Sequence, residues 1–397
     1  MTWPTNPSSR TKFTTGQRKL GEVCEIISPG IKKFEGIKKY VATADVDFDK
    51  IVNFSEITYS NRPSRANMET KENDALVARM AETKKFLVVS KELQNNYIFS
   101  TGFAVLRTKK DLLPKCLFYF LTTKDFNLQK NKLAVGATQK AINNPALKRI
   151  KIPILPLPIQ QKIVERLDAI KKTQELNDKQ LVLVEELFQS LLHRELDPKG
   201  KNWEVKRLGE LSLVITKGTT PTTYGYRFTD AGIPFLRVED VNNDLVNPKK
   251  TEYHISKETH EFMKRSKTEP RDILVTIAGT IGRVAHVPEN APEMNMNQAV
   301  AIVRLKPLVN HLYVFYLLRT KELQRAMKFA EVTGTITNIS LTTLKNLKIP
   351  LPPIETQRKI VEKLSAVQEY KKKLIEQKEK LQELFESVLN KSFKREI

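Results

Sequence analysis

The strongest constraint on this chain is a repeat: two related blocks lie 197 residues apart. Residues 147–153 read LKRIKIP and residues 344–350 read LKNLKIP, and the register continues without a gap for about fifty residues. Within that stretch, KIVERL at 162–167 falls on KIVEKL at 359–364. Self-similarity at a fixed offset is the signature of a duplicated structural unit. The sequence therefore predicts one module present twice.

The blocks that precede these segments are related more weakly. They share short anchors only: 20–22 with 208–210, Asp74 with Asp272, 103–107 with 300–304, and Tyr119 with Tyr316. The offset drifts by a few residues between anchors, and the residues between them share little. We therefore expect two similar scaffolds that carry different loops, and loops on a rigid scaffold are where binding specificity usually lies.

Each copy ends in a Pro-rich segment followed by a long helical stretch. The helices are predicted at about 38 residues, or roughly 57 Å. Apolar residues at alternating spacings of four and three predict a coiled-coil seam, with Gln174, Asn177, Lys371 and Lys378 as polar members that help to set register. The side chains expected to pair with the other helix and with partner helices are Ile163, Leu167, Ile170, Leu181, Phe188, Ile360, Leu364, Val367, Leu381 and Phe385. The alternative is that each stripe packs on its own domain.

Short β-branched and aromatic runs predict strands in both globular blocks, at 86–89, 103–106, 273–277 and 300–303. Apolar helical turns are expected at 117–121 and 312–318, and strand-like runs at 149–154 and 347–351. The fold class is therefore α+β, with four parts. These are α/β blocks at 1–157 and 198–354, and helices at 158–197 and 355–397.

The net charge of +22 suggests nucleic acid or an anionic membrane as a partner. The basic excess lies in the two globular blocks, which carry +13 and +8, whereas a membrane-surface helix would concentrate it in one short segment. No apolar run is long enough to span a bilayer, and residues 1–19 lack the apolar core of a secretory signal. Two cysteines without partners at metal spacing indicate a reducing compartment and argue against structural zinc.

The layout resembles the specificity (S) subunit of type I restriction-modification systems. KIPLPP at 348–353 followed by QRKIVE at 357–362 looks like that family's approach to its conserved helix. ITKGTTP at 215–221 with GIPFLR at 232–237 resembles the start of a target recognition domain, and NQAV at 297–300 resembles its middle. The resemblance covers nearly the whole chain, although residues 15–60 lack the Gly-Thr-Thr-Pro element.

This resemblance implies two pseudo-twofold-related α/β target recognition domains joined by two long antiparallel coiled-coil helices. Each domain would read one half of a bipartite, asymmetric site on double-stranded DNA, and the helices would fix the spacer between the halves. The helices would also dock two methyltransferase (M) subunits, and restriction (R) subunits would join in the full complex. S-adenosylmethionine and ATP would belong to those partners, and the location would be the prokaryotic cytoplasm.

Base reading requires polar side chains that reach a groove, so candidates were sought where the copies diverge. In the first block the candidates are Ser60, Asn61, Arg62, Arg65, Asn96, Thr138, Gln139 and Lys140. In the second they are Lys217, Thr219, Thr220, Thr222, Thr223, Tyr224, Tyr226, Arg227, Asn297, Thr335 and Thr337, with Asn295 and Gln298 as further candidates. The alternative for each segment is a solvated loop with local turn hydrogen bonds.

Motifs for catalysis are weak in this sequence. Residues 143–146 (NNPA) lack the second proline and the aromatic residue of a methyltransferase motif, and no phosphate-binding Gly-rich loop with Lys-Ser/Thr is found. Asp74 with Glu82 and Lys84 faintly suggests a nuclease site, but Glu82 and Lys84 fall on Thr280 and Gly282 in the other copy. The five histidines show no ligand or triad spacing. A non-catalytic DNA-binding subunit is favoured over a coiled-coil protein adaptor with weak nucleic-acid binding, and over a stand-alone enzyme.

Overall fold

The structure is a computed structural model, and it describes residues 16–242, 246–329 and 338–393. The chain divides into two compact units. The first unit comprises residues up to 178 together with those from 376 onward, and the second comprises residues 179–375. Each unit therefore contains one globular block and one half of each long helix.

The first globular block alternates short strands and helices before the first long helix. Its strands are β1 (Gly16–Lys19), β2 (Cys24–Ile27), β3 (Lys38–Val41), β4 (Val46–Asp47), β5 (Lys50–Ile51), β6 (Ser55–Ile57), β7 (Ala66–Met68), β8 (Ala75–Ala78), β9 (Phe86–Val88), β10 (Tyr97–Ser100), β11 (Phe103–Thr108) and β12 (Lys151–Ile154). Its helices are α1 (Leu20–Val23), α2 (Lys91–Asn96), α3 (Pro114–Thr122), α4 (Lys124–Leu133) and α5 (Asn144–Lys148), and the long helix is α6 (Leu157–Leu196).

The second block repeats this order with different loops. Its strands are β13 (Glu204–Arg207), β14 (Ser212–Lys217), β15 (Ile233–Leu236), β16 (His254–Ile255), β17 (Ile273–Thr276), β18 (Val284–His286), β19 (Asn295–Met296), β20 (Val300–Leu305) and β21 (Lys348–Leu351). Its helices are α7 (Leu208–Leu211), α8 (Lys257–Phe262), α9 (His311–Leu318), α10 (Lys321–Phe329) and α11 (Leu341–Asn346), and the second long helix is α12 (Ile354–Phe393). The strands and apolar helices predicted from the sequence are confirmed in both blocks.

The main sheet has the same topology in both units. Its strand order is β2-β11-β8-β9 in the first unit and β14-β20-β17-β18 in the second, antiparallel throughout. A short antiparallel pair, β1 with β12 and β13 with β21, closes each block next to its long helix. This equivalence confirms that the sequence repeat is a duplicated fold.

A smaller sheet also has a shared centre. In the first unit its order is β6-β3-β10-β7, and in the second it is β16-β15-β19. The parallel pair β3/β10 corresponds to β15/β19, and the antiparallel neighbour β6 corresponds to β16.

Both long helices are 40 residues in length, or about 60 Å. Each begins directly after a proline. The Pro156 carbonyl accepts hydrogen bonds from the amides of Ile159 and Gln160, and the Pro353 carbonyl accepts from those of Thr356 and Gln357. Neither helix contains an internal glycine, and Leu, Glu, Lys and Gln, which favour helix, fill most positions. The predicted long helices are confirmed, and they pack against each other.

A glutamine at the start of each long helix explains why this part of the sequence is similar in both copies. The Gln160 amide donates to the carbonyls of Leu155 (2.7 Å) and Asp111 (2.8 Å) and accepts from the amide of Leu113 (2.8 Å). At the offset of 197, Gln357 donates to the Pro352 carbonyl (2.8 Å) and accepts from the Asn310 amide (3.0 Å). Each side chain satisfies backbone groups that would otherwise be buried without partners.

Within each unit the two helix halves run antiparallel. In the first unit Gln174 donates to Gln382 (3.2 Å) and Lys378 contacts Asp178 (2.7 Å). In the second unit Lys371 contacts Glu185 (2.6 Å) and Lys363 contacts Glu195 (3.1 Å). Exposed ion pairs of this kind contribute only about 0.2–1 kcal/mol each to the free energy of unfolding. Their main effect is therefore on which residues of the two helices lie opposite each other. This agrees with the role predicted for the polar seam positions.

The ends of both helices are also built into the domain cores. The core of the first unit contains Ile163 and Leu167 from α6, with Leu389 and Phe393 from α12. The core of the second unit contains Phe188, Leu192, Ile360 and Leu364. The interpretation that seam residues only join helices is therefore incomplete. A helix of about 60 Å is longer than one block, so its two ends can serve different cores.

Candidate nucleic-acid interface

The turn that precedes β11 ties together the polar segments of the first unit. The Thr101 amide donates to the Arg65 carbonyl (2.9 Å), and the Arg79 amide donates to the Gly102 carbonyl (2.9 Å). The amide of Ile142 then donates to the Arg79 carbonyl (2.9 Å). The segments around 60–65 and 136–140, which are distant in sequence, are thus attached to one turn.

The second unit repeats this arrangement at the turn before β20. The Ile277 amide donates to the Ala299 carbonyl (2.8 Å), and the Ile339 amide donates to the Ile277 carbonyl (2.8 Å). From the other side, the amide of Thr219 donates to the Met296 carbonyl (3.0 Å). The structure therefore brings the loop at 217–227 and the segment at 295–299 to one place, next to Asn338.

The loop at 58–65 is a tight turn whose polar groups partly serve one another. The Asn61 side chain accepts from the Thr58 amide (2.7 Å), and the Ser60 hydroxyl lies 3.1 Å from that of Thr58. The Arg62 guanidinium stacks on the Tyr59 ring at 3.9 Å. Arg65 and Asn96 are exposed, and Asn96 ends α2. Asn61 and Ser60 thus make the local turn hydrogen bonds expected of a solvated loop, whereas Arg65 and Asn96 are exposed, as base reading would require.

The second candidate segment of the first unit is a narrow loop closed by a bridge between Val135 and Ala141. Thr138, Gln139 and Lys140 form its tip, and all three are exposed. Gly136 has a φ of +137°, and a Cβ there would lie 2.3 Å from the Gln139 carbonyl oxygen, so only glycine permits this turn.

In the second unit, Gly218 sets the position of the candidate loop. A Cβ at Gly218 would lie 2.1 Å from the Asn297 carbonyl oxygen and 2.2 Å from that of Met296. The Thr220 hydroxyl is hydrogen-bonded to the side chain of Gln298, and Pro221–Tyr224 then forms a 3-10 turn. The exposed candidates on this loop are Lys217, Thr222, Thr223, Tyr224 and Arg227, while Thr219, Thr220 and Tyr226 are half-buried.

The remaining candidates of the second unit differ in accessibility. Asn297 is half-buried and its side chain accepts from the Ala299 amide (3.2 Å). Asn295 is fully buried, and its amide donates to the Met263 carbonyl (3.2 Å), so it supports the fold instead of facing a ligand. Thr335 and Thr337 lie outside the described residues. The assignment of individual base contacts stays a prediction.

Sequence reasoning missed the aromatic partners of these loops. Phe262, at the end of α8, contacts both Tyr224 and Tyr226 with centroid distances of 5.3 and 5.0 Å. In the first unit, the Lys39 ammonium lies over the rings of Phe54 (4.5 Å) and Tyr97 (5.4 Å). The sequence did show an aromatic residue, Phe262, among polar and basic neighbours. Its contact with Tyr224 and Tyr226, however, arises only in the folded chain.

The carboxylate considered for a nuclease site has a structural role. Asp74 is buried and bound by Arg107 through two bonds of 2.8 and 2.7 Å. Its counterpart Asp272 is bound by Arg304 through two bonds of 2.8 Å each. A paired, bidentate arrangement satisfies a buried charge. Within residues 16–242, 246–329 and 338–393, no group of three or more His, Cys, Asp or Glu side chains could hold a metal ion.

The helix positions predicted as pairing residues are all buried or half-buried. Ile163, Leu167, Phe188, Ile360 and Leu364 belong to the domain cores, and Val367 and Phe385 pack against them. Ile170, Leu181 and Leu381 are half-buried along the helices. By contrast, Val182, Leu183 and Leu187 on α6 are 59%, 62% and 50% exposed. Apolar surface therefore remains uncovered on α6.

Comparison with known proteins identifies the duplicated module. A family model described as the type I restriction modification DNA specificity domain matches the chain twice, over residues 14–186 and 200–384. This chain belongs to that family. The matched segments each contain one globular block and most of the long helix that follows it.

Individual members of the specificity family agree with this assignment. The specificity subunit named for the type I restriction enzyme MjaX of Methanocaldococcus jannaschii is 27% identical over 307 residues, which cover 72% of this chain and 68% of that protein. The EcoBI specificity subunit of Escherichia coli is 32% identical over 176 residues, covering 42% of this chain and 36% of that protein.

A solved structure shares the fold. The type I restriction-modification S subunit from M. genitalium superposes with a TM-score of 0.61 at 16% identity, covering 98% of each chain. At that identity the likeness concerns the fold alone. In the part of the chain that the structure describes, no helix has the length and apolar character needed to cross a bilayer.

Proposed function

We propose that this chain, a type I restriction-modification specificity subunit, reads a bipartite DNA site with one half assigned to each unit. The observation that carries the proposal is the duplicated turn before β11 and β20, around which each unit gathers a different set of polar loops. Similar scaffolds place their loops at equivalent positions, whereas different loops present different hydrogen-bonding groups. Two half-sites of unlike sequence are the target that suits such a chain.

Electrostatics support DNA as the ligand. The basic excess of +13 and +8 lies in the two globular blocks, while the first long helix carries a balance of −2. Neutralised phosphates release counterions, so binding by these blocks should weaken steeply as salt is raised. A pure protein adaptor, which is the alternative function, does not require the charge to be distributed in this way.

The long helices are proposed to fix the spacer and to dock the catalytic partners. Their length of about 60 Å exceeds the separation of about 34–36 Å between half-sites one helical turn apart. The exposed Val182, Leu183 and Leu187 provide apolar contacts for a helix of one of two methyltransferase subunits. The cofactors S-adenosylmethionine and ATP would then be held by the methyltransferase and restriction subunits, in the prokaryotic cytoplasm.

Selection from randomised duplexes tests the recognition proposal. The full chain, combined with its methyltransferase subunits, should enrich one bipartite sequence with two defined halves and an unspecified spacer. Enrichment of a single continuous sequence would contradict the proposal that each unit recognises its own half-site. No enrichment at all would favour the adaptor.

Co-purification tests the docking proposal separately. Leu183→Asp with Leu187→Asp should lower methyltransferase association from two subunits per chain to one, while the far-ultraviolet circular dichroism is unchanged because both side chains are exposed. Glu186→Gln, at an exposed position between them, is the matched control and should retain association. Equal association of both variants would exclude this surface.

A further inference from the structure

We propose that Tyr224, Tyr226 and Phe262 form an aromatic wedge with which the second unit unstacks bases in its own half-site. The inference rests on the proposed function and adds a recognition mechanism to it. Proteins that insert aromatic or apolar side chains between base steps select sequences that deform easily, so such a wedge would contribute to sequence choice without hydrogen bonds to base edges.

The wedge is an unusually exposed aromatic cluster. Tyr224 is 55% exposed and Phe262 is 52% exposed, yet their rings are packed together with 5.3 Å between centroids. Tyr226 closes the cluster at 5.0 Å from Phe262. Grouped aromatic side chains that remain open to solvent mark binding surfaces more often than isolated ones do. The rings therefore present faces and edges to a ligand.

The tyrosines stand on a rigid support. The amide of Tyr226 donates to the Pro221 carbonyl (3.2 Å), and the amide of Gly225, at a φ of +81°, donates to that of Thr222 (3.2 Å). The Thr220 hydroxyl ties the start of this turn to Gln298. Side chains fixed before binding lose less conformational entropy when they insert, which favours a wedge over a flexible loop.

Phe262 is held by a different part of the chain. The Ser256 hydroxyl caps α8 by accepting from the Thr259 amide (3.1 Å), and Thr259, His260 and Met263 anchor the helix in the interior. The fully buried Asn295 binds the Met263 carbonyl at 3.2 Å and lies 3.3 Å from the His260 ring nitrogen. A buried polar network of this kind fixes the position of Phe262 relative to the turn before β20.

The charges around the cluster favour nucleic acid over a protein partner. Lys217, Arg227, Lys264 and Arg265 are exposed on the same two segments as the rings. The neighbouring Glu261 is already neutralised by Lys267 at 2.5 Å. Cationic side chains beside aromatic faces are the combination that binds a phosphate backbone and stacks bases at once.

In the first unit the comparable aromatic rings are covered by a lysine of the same chain. Lys39 lies over both Phe54 and Tyr97, which gives those rings an intramolecular cationic partner. The wedge mechanism is therefore assigned to the second unit. One half-site of the target should therefore carry a distortion that depends on the wedge, and the other should not.

Chemical probing of the bound duplex tests this proposal. The probe is the bipartite duplex selected by the wild-type chain with its methyltransferase subunits, treated with permanganate for thymines and diethyl pyrocarbonate for purines. For the wild type we expect hyperreactive bases in one half-site that depend on the wedge, whereas any base extruded by the methyltransferase subunits should react equally in wild type and variant. Phe262→Ala should abolish the wedge-dependent reactivity and weaken binding roughly 5- to 150-fold, the range for loss of one stacked base.

Two further variants separate stacking from general effects. Phe262→Leu keeps an apolar side chain that can still enter a base step but has no ring to stack, so it should retain part of the reactivity that Phe262→Ala loses. Leu308→Ala, at an exposed apolar position between β20 and α9, is the control and should retain both affinity and reactivity. All three variants should still unfold cooperatively, with only a small change in melting temperature, because the substituted side chains are at least half exposed.

The outcomes distinguish the wedge from the function on which it rests. Selection of a bipartite duplex whose reactive bases are the same in wild type and Phe262→Ala, or Phe262→Ala binding that duplex as the wild type does, would overturn the wedge alone. Loss of methyltransferase association in Phe262→Ala would reassign the cluster as a protein-docking surface. Failure to select any bipartite sequence would instead overturn the proposed function.

Discussion

The ring of Phe385, near the end of the second long helix, packs against the ring of Tyr119 in the first globular block, with 6.1 Å between centroids. The equivalent pair in the second unit is Phe188 with Tyr316, at 5.9 Å. Phe188 and Phe385 occupy the same position in the repeat, as do Tyr119 and Tyr316. Each block is thus completed by the helix that follows the other block. The repeats exchange helix ends, and neither copy forms its core alone.

This exchange predicts a crossed pattern of destabilisation. Phe385→Ala should lower the free energy of unfolding of the first unit by about 2–4 kcal/mol, somewhat less than for a fully buried phenylalanine. Hydrogen exchange should then accelerate in α3 and not in α9. Phe188→Ala, at a fully buried position, should do the reverse at about 3–5 kcal/mol. Acceleration in the block that precedes each helix would contradict the exchange.

A buried lysine predicts a pH effect confined to the first unit. Lys130 is fully buried, and its ammonium donates to the carbonyls of Thr83 (2.5 Å) and Ala78 (3.4 Å). Burial lowers the pKa of Lys130 from its ordinary value of 10.5 to about 8. The second unit has Met327 at the equivalent position, also fully buried. The two units should therefore respond differently to alkali.

The sign follows from the proton balance. Below pH 8 both folded and unfolded chains hold this proton, whereas between about pH 8 and 10.5 only the unfolded chain does. The contribution of Lys130 to the free energy of unfolding should rise across that window, by on the order of 3 kcal/mol. The buried thiols of Cys24 and Cys116, whose pKa burial raises to about 12, act in the opposite sense, so the rise is measured as the difference between the wild type and Lys130→Met. Lys130→Met should remove the rise, while Lys132→Met, at an exposed site, should keep it.

Urea unfolding at a series of pH values provides the measurement. Pulsed alkylation of the two buried thiols, Cys24 and Cys116, can report on the first unit alone because both lie in it. A rise of the same size in Lys130→Met and Lys132→Met would show that another group titrates.

Gly218 predicts a local effect on one half-site. A side chain there would collide with the carbonyls of Met296 and Asn297, so Gly218→Ala should displace the loop at 217–227. We expect affinity for one half-site to fall at least tenfold, with recognition of the other unchanged. Gly16→Ala, where a Cβ meets nothing within 4 Å, is the matched control. Binding measured on duplexes with one half-site scrambled at a time would resolve the two, and equal affinities of both variants would contradict the assignment.

The duplicated scaffold could be predicted because its anchors keep sequence identity for packing reasons. Gln160 and Gln357 satisfy the same backbone groups, and Phe188 and Phe385 fill equivalent places beside tyrosines. Shared side chains of this kind survive in both copies and reveal the offset. The helix lengths followed from the absence of internal glycine and from the apolar spacing.

The exchange of helix ends and the site geometry could not be predicted. Periodicity showed that Phe385 faces a core, but not which core. Asp74 and Arg107 both lie at positions that match between the two copies. Their 2.7 Å ion pair, however, depends on the pairing of β8 with β11. Phe262 meets Tyr224 only because α8 returns to the loop after β14. Long-range contacts of this type depend on topology, which local sequence pattern does not specify.

The most direct test of the account is a matched insertion in both helices. In the first unit Gln174 pairs with Gln382 and Asp178 with Lys378, so one heptad inserted after Asn177 and another after Glu379 should preserve antiparallel register. Seven residues add about 10.5 Å and nearly two full turns, which corresponds to roughly three base pairs. The measurement is the set of DNA sites methylated by the reconstituted complex. The account predicts unchanged half-sites separated by about three more base pairs, whereas altered half-sites, or an unaltered spacer, would contradict it.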